Sequence, residues 1–236
     1  MARPALARRP AAVLFDFGGT LDAPGITWKE RAWRLYREAG VATEPATFGR
    51  AFYDADDALV GAVPPALPLE DTVRRVFAGV SARLGVADAP LTERLAGRFL
   101  DEAHAHLRVS AAVLARLARR YRLGIVSNFY GNLAAICAQA GLAPPVAAIA
   151  DSAVVGATKP DARIFSHALD ALGVAPGDAA FVGDSRPRDM EGARALAMPH
   201  VWVVERGLPA AAPCCAGDPV IRGLDELEAL LECDAS

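Results

Sequence analysis

Five short apolar runs constrain this 236-residue chain more than any other feature: AAVLF at 11–15, LGIV at 123–126, VAAIA at 146–150, AAFV at 179–182 and VWVV at 201–204. Each has the length of a strand. Apolarity that continues rather than alternates fits strands covered on both faces, as in a parallel sheet. From residue 110 onward, helical segments at 110–120, 131–140, 161–172 and 189–197 separate the runs. Strand–helix alternation of this kind predicts an α/β fold, a Rossmann-like doubly wound parallel sheet.

Residues 24–107 break the rhythm. Helices are expected near 27–39, 46–60, 69–84 and 91–106, punctuated by Gly40, Pro64, Pro65, Pro68, Gly85 and Pro90. An insert after the first strand emerges at the carboxyl edge of the sheet, where such folds bind ligands, so it is placed to act as a lid. The expected division is a core of 1–22 and 108–236 with a helical cap of 23–107.

With 53% hydrophobic residues and a net charge of −3, the chain is neither disordered nor basic enough to suit a nucleic-acid partner. The uncharged stretch 123–150 is broken by Ser127, Asn128, Asn132, Pro144 and Pro145, so no membrane span is expected. The apolar run after Arg3, Arg8 and Arg9 reaches Asp16 too soon for a secretory signal. Cys137, Cys214, Cys215 and Cys233 form no CxxC pair, which fits reduced thiols in a cytoplasmic protein; a vicinal redox or metal site at 214–215 is the alternative. Oligomeric state is not legible.

Four segments at strand ends carry chemistry. Phe15-Asp16-Phe17-Gly18-Gly19-Thr20-Leu21 presents a carboxylate beside a Gly-rich turn, able to act as a nucleophile next to anion-holding N–H groups, or simply to turn the chain. Ser127-Asn128 offers a hydroxyl and an amide to a phosphoryl oxygen, or starts a helix. Thr158-Lys159-Pro160-Asp161 places one of only 2 lysines in a chain with 23 arginines, which suggests a compact ammonium where a guanidinium will not fit. Gly183-Asp184-Ser185-Arg186-Pro187-Arg188-Asp189 puts two carboxylates within reach of one hard cation, although Asp189 also reads as a helix cap.

Taken in order, these segments resemble the motifs of the haloacid dehalogenase superfamily of aspartate-nucleophile hydrolases. DFGGTL is similar to its first motif, VSN to its second, TKPDARIF to its third and GDSRPRDMEGA to its fourth, and the helical insert to its C1-type cap. The resemblance implies a Mg²⁺-dependent phosphatase acting on a small phosphorylated molecule. Asp16 would be the nucleophile, and Lys159 would orient it and offset charge. Gly19, Ser127 and Asn128 would bind the phosphoryl group. The metal would be held by Asp16, the Gly18 carbonyl, Asp184 and Asp189.

One position departs from the pattern. Family phosphatases carry a second Asp two residues after the nucleophile, as acid and base; here that residue is Gly18. Its loss implies about 10²–10⁴-fold slower turnover unless the leaving group is good or another acid serves. Asp22, Asp54, Asp56, Asp57, His104 and His106 are the candidates, each also readable as a cap or a solvated helix face. If only the acid is missing, Gly18→Asp is expected to raise turnover of alkyl phosphates. Two other readings stay open: carbon–phosphorus or carbon–halogen chemistry, for which Lys29 is the one cap lysine, and a binding or regulatory protein without turnover. Trp28, Trp33, Tyr36, Phe48, Phe52 and Tyr53 are candidates for the substrate wall or the core of the lid.

Overall fold

The computed structural model describes residues 6, 9–207 and 218–232. Its sheet holds six parallel strands among the described residues, in the spatial order β3-β2-β1-β4-β5-β6. They are β1 (Ala12–Phe15), β2 (Arg122–Ser127), β3 (Ala148–Asp151), β4 (Ala179–Gly183), β5 (His200–Val203) and β6 (Val220–Ile221). The five apolar runs each coincide with one strand. β6, two residues long, was not anticipated, because so short a strand carries no periodic signal.

Helices cover both faces of the sheet. Val13 and Phe15 pack with α4 (Ala89–Leu117), α5 (Leu133–Gln139) and α9 (Leu227–Glu232) on one side. Ala12, Leu14 and Phe181 pack with α7 (Ala162–Leu172) and α8 (Glu191–Ala195) on the other. Successive residues of β1 therefore point into different cores, and every one is buried, which is why its sequence is continuously apolar. A short helix, α6 (Ser152–Val155), follows β3.

From β1 the chain builds outward through β2 and β3, then returns to the other side of β1 for β4, β5 and β6. Loops leaving the carboxyl ends of β1 and β4 thus diverge, opening a crevice at the point where the winding reverses. Over it stands the insert: α1 (Trp28–Glu38), α2 (Pro45–Asp57), α3 (Leu69–Leu84) and the first part of α4. Tyr36, Phe48 and Phe77 form its interior, with Tyr36 Oη donating to the Phe77 carbonyl at 3.0 Å.

Helix α4 corrects one expectation. Instead of separate helices at 91–106 and 110–120, a single 29-residue helix runs from Ala89 to Leu117. Residues 98–117 contain neither glycine nor proline, so nothing in them stops a helix. The expected helix at 189–197 instead begins as one π-type turn, Arg186–Met190, leading into α8. Cys137 is free and buried, and burial pushes its thiol up to about 12. Cys214, Cys215 and Cys233 lie outside the described residues. No helix among those residues is long and apolar enough to cross a membrane.

Candidate active site

The register of β1 against its neighbours decides what meets in the crevice. Phe15 pairs with Ile125 on β2 and Val182 on β4, and the Asp16 N–H donates to the Val182 carbonyl at 2.9 Å. Asp16 therefore sits at the strand end between Ser127 and Asp184, facing the opening. Its Oδ1 accepts from the Phe17 N–H at 2.7 Å and the Ser127 hydroxyl at 2.8 Å, and lies 2.7 Å from Lys159 Nζ. No donor among the described residues meets Oδ2.

Lys159 is the hub of this arrangement. Its buried ammonium also lies 2.6 Å from Asp189 Oδ1, bridging the first and fourth motif-like loops. Burial works against its charge, yet Asp16 and Asp189 together hold its pKa above the ordinary lysine value. Asn128 fixes the lysine's backbone: its Oδ1 accepts from the Lys159 N–H at 2.7 Å and its Nδ2 donates to the Lys159 carbonyl at 3.3 Å. The Asn128 carboxamide expected on a phosphoryl group is thus engaged with the chain.

Asp16, Asp184 and Asp189 can each place a carboxylate oxygen within 4.8 Å of the others. Asp189 does not act as a plain helix cap. It is fully buried in the π-type turn, where Oδ2 accepts from the Ser185 N–H at 2.9 Å. Asp184 accepts from Thr20 Oγ1 at 3.1 Å, and its carbonyl from Trp202 Nε1 at 2.8 Å. Burial, with Asp16 and Asp189 nearby, drives the Asp184 carboxyl well above the usual range. Three carboxylates against one ammonium leave an excess of negative charge, and an all-oxygen donor set of this kind suits a hard divalent cation such as Mg²⁺.

Glycines let the loop approach this closely. At Gly19, with φ of +90°, a Cβ would lie 2.6 Å from Asp184 Oδ2. The Gly19 N–H, expected on a phosphoryl oxygen, donates to Asp22 Oδ1 at 2.7 Å. At Gly18 a Cβ would lie 3.3 Å from Trp28 Nε1, a tight contact that a side chain there could make only if the indole gave way by a few tenths of an ångström.

A pocket of about 220 Å³ opens onto Asp16, Ser127, Lys159 and Asp184. Trp28 and Lys29 of α1, Phe52 and Asp56 of α2, Tyr130 after β2, and Arg188 of the π-type turn form much of the rest. Tyr53 lines it as well, whereas Tyr36 and Phe48 belong to the interior of the insert and Trp33 packs at its edge. Of the candidate replacement acids, Asp56 reaches the pocket; Asp54, Asp57, His104 and His106 do not line it.

Asp22 corrects a further expectation. It is neither an exposed acid nor a solvated cap but is sealed off, accepting at Oδ2 from Trp28 Nε1 at 2.6 Å and Arg31 Nη1 at 2.9 Å. Arg31 in turn donates to the Phe99 carbonyl and stacks 3.8 Å from the Phe99 ring centroid. Tyr130 and Arg188 were missed as pocket residues. Their closeness in sequence to Ser127 and Asp189 was the available signal.

Several known proteins are similar to this chain in sequence or in fold. The chain is 43% identical over 88 residues to a phosphoserine phosphatase of Thermus thermophilus, covering 37% of this chain and 35% of that one. It is 35% identical over 136 residues to the bovine haloacid dehalogenase-like hydrolase domain-containing protein 3, covering 57% of this chain and 54% of that one. The chain therefore matches only about a third to a half of the length of these two relatives. A Rhodospirillum rubrum phosphoglycolate phosphatase is 31% identical over 205 residues, covering 81% and 78%. Among solved structures, the HAD-hydrolase YfnB of Bacillus subtilis bound to magnesium superposes with a TM-score of 0.60 at 21% identity, covering 96% of this chain and all of that one. A dehalogenase with an intermediate complex does so at 0.64 and 18%, covering 97% of this chain and all of that one. At such identities these two structures speak for the fold alone. Residues 10–196 match the family described as haloacid dehalogenase-like hydrolase. With that match spanning most of its length, the chain belongs to the haloacid dehalogenase-like hydrolases.

Proposed function

We propose that this protein is a Mg²⁺-dependent phosphatase that hydrolyses a small phosphorylated metabolite through an aspartyl-phosphate on Asp16. The observation that carries this reading is the one-sided engagement of the Asp16 carboxylate. Three donors gather on Oδ1 of a residue that lines the pocket, which fixes the group and leaves Oδ2 as the attacking atom.

Asp16, the Gly18 carbonyl and Asp184 would hold Mg²⁺, with Asp189 beside them, and the ion would screen the repulsion between carboxylate and phosphate. Lys159 adds a second positive charge at the same place and keeps Asp16 aimed. Asn128 holds Lys159 in position through its backbone. In this reading residues 23–107 form a C1-type cap over the core, and Gly18 stands where family phosphatases keep their acid. Relatives named phosphoserine phosphatase and phosphoglycolate phosphatase support a small phosphorylated substrate.

The test is a screen of phosphorylated metabolites, with acetyl phosphate and 4-nitrophenyl phosphate as activated controls. Phosphate release is expected with Mg²⁺, is stopped by a chelator, and is abolished in Asp16→Asn. Absence of release from every substrate, activated ones included, overturns the reading.

A second reading has one observation in its favour. Lys29 lines the same pocket, its ammonium 5.4 Å from the Tyr53 ring centroid. A lysine so placed could form an imine with a carbonyl one carbon removed from phosphorus, so that the electron pair of the breaking carbon–phosphorus bond is taken up as an enamine. Inactivation by borohydride in the presence of a carbonyl phosphonate, lost in Lys29→Arg, would favour it.

A further inference from the structure

Among the described residues lining the pocket, three bear carboxyl groups: Asp16, Asp184 and Asp56. The first two belong to the carboxylate cluster. Asp56 stands apart on α2, where its Oδ1 accepts a hydrogen bond from Tyr130 Oη. Tyr130 lies three residues beyond Ser127, so this bond ties the insert to the loop that steadies the nucleophile. Trp28 is near both positions: its indole would meet a Cβ at Gly18, and its ring centroid is 6.3 Å from that of Tyr130. A carboxyl is thus supplied from the insert to the same pocket in which position 18 cannot offer one.

The surroundings of Asp56 suit a group that changes protonation. Burial pushes its carboxyl above the usual range; the Tyr130 hydroxyl and the Arg188 charge pull it down, and Asp57 adds to the rise. Lys29 is the other charged group of the insert that lines the pocket. Burial and Asp56 itself keep the Tyr130 phenol well above its ordinary pKa, so it remains a neutral donor. With Tyr130 on Oδ1, the second oxygen of Asp56 is left to carry a proton.

The geometry points to Asp56 as the acid and base that Gly18 lacks, an assignment that rests on the phosphatase reading. As Asp16 Oδ2 bonds to phosphorus and the phosphorus–oxygen bond to the leaving group breaks, Asp56 gives its proton to the departing oxygen. The resulting Asp56 carboxylate then takes a proton from the water that attacks the aspartyl-phosphate. Inorganic phosphate leaves, Asp16 returns as the carboxylate, and Asp56 is protonated again.

The experiment compares wild type with Asp56→Asn on 2,4-dinitrophenyl, 4-nitrophenyl, phenyl and ethyl phosphates. On ethyl phosphate, kcat/KM is expected to fall about 10²–10⁴-fold, and the loss should shrink steadily as the leaving group improves. On the dinitrophenyl ester the variant should release a burst of one nitrophenolate per enzyme, because the second step has lost its base. The wild-type ethyl phosphate profile should decline as pH rises and Asp56 loses its proton. Tyr130→Phe, which removes a donor from the Asp56 carboxylate, should move that decline upward, and this variant decides the matter if Asp56→Asn does not fold. An equal loss across the whole series, no loss on ethyl phosphate, or a high-pH limb unmoved by Tyr130→Phe overturns the assignment while leaving the phosphatase reading intact. A wild type that releases phosphate from none of the four, nor from any compound of the metabolite screen, overturns both.

Discussion

Asp16 and Asp22 sit six residues apart on one loop, both buried, each against a cation, yet they are built for opposite ends. Asp22 has both oxygens engaged: Oδ1 by the Gly19 N–H, Oδ2 by Trp28 and Arg31. Asp16 has every donor on Oδ1 and lines an open pocket. A carboxylate with both oxygens satisfied and no path to solvent holds structure together; one with an unengaged oxygen facing a cavity is available for chemistry. Local sequence does not separate them. The difference arises from which distant side chains arrive, Arg31 from the insert in one case and Lys159 from the core in the other.

The largest expected effects test this contrast directly. Asp16→Asn should bring phosphate release to background. It should leave the melting temperature unchanged or slightly higher, since it relieves a crowded set of carboxylates while Lys159 keeps Asp189. Asp22→Asn should do the reverse. Removing one partner of this buried pair leaves the Arg31 charge with only the half-exposed Glu102 carboxylate, 3.7 Å from its Nε, at a cost of about 3–5 kcal/mol. For a chain of this size that lowers the melting temperature by roughly 6–20 °C. Thermal unfolding and phosphate release measured on both variants check the pair of outcomes, and a Tm loss in Asp16→Asn as large as in Asp22→Asn would erase the distinction.

Next in size is the contact between Gly18 and Trp28. Restoring the missing acid by Gly18→Asp would raise alkyl phosphate turnover if space allowed, but a Cβ there already meets the indole at 3.3 Å. The single substitution is therefore expected to destabilise by about 1–3 kcal/mol through overpacking, with no gain in turnover. Trp28→Ala in the same chain should remove that penalty, giving a double-mutant cycle with clear coupling between the two positions. Independent, additive effects would mean that the indole does not fill the space of a side chain at position 18.

How much of this the sequence disclosed follows from the range of the interactions involved. The strands were legible because burial on both faces demands unbroken apolarity, and the four chemical segments because each follows such a run directly. The convergence of Asp16, Ser127, Lys159, Asp184 and Asp189 follows once those strands lie parallel in adjacent register. What stayed hidden depends on one element meeting another. Arg31 reaching Asp22, Trp28 covering Gly18, Tyr130 meeting Asp56 and Asn128 holding the Lys159 backbone all need the relative placement of insert and core. The unbroken course of α4 was legible in principle, since 98–117 lacks any helix breaker, but the contrast between insert and core invites a boundary there.

A half-exposed counterpart of the Asp22 pair provides the smallest and sharpest test. Arg34, one turn along α1 from Arg31, makes a two-pronged contact with Glu205 beyond β5, at 2.5 and 2.7 Å. It links the same helix to the same core, but Arg34 is 39% exposed where Arg31 is 4%. Solvent screening therefore limits the pair to about 0.5–1 kcal/mol, several-fold below the buried pair. The Arg34 guanidinium holds the Glu205 carboxyl below its ordinary 4.5. A depressed folded pKa means that the stabilisation is complete above 4.5 and lost as pH falls through the lower folded value. Glu205→Gln should accordingly melt about 1–4 °C below wild type at neutral pH, and the gap should close in acid once Glu205 is protonated. Melting curves for the two proteins from neutral to acidic pH decide it. A gap that persists in acid would assign the cost to lost packing rather than charge, and one as large as that of Asp22→Asn would mean burial is not what separates the two arginines of α1.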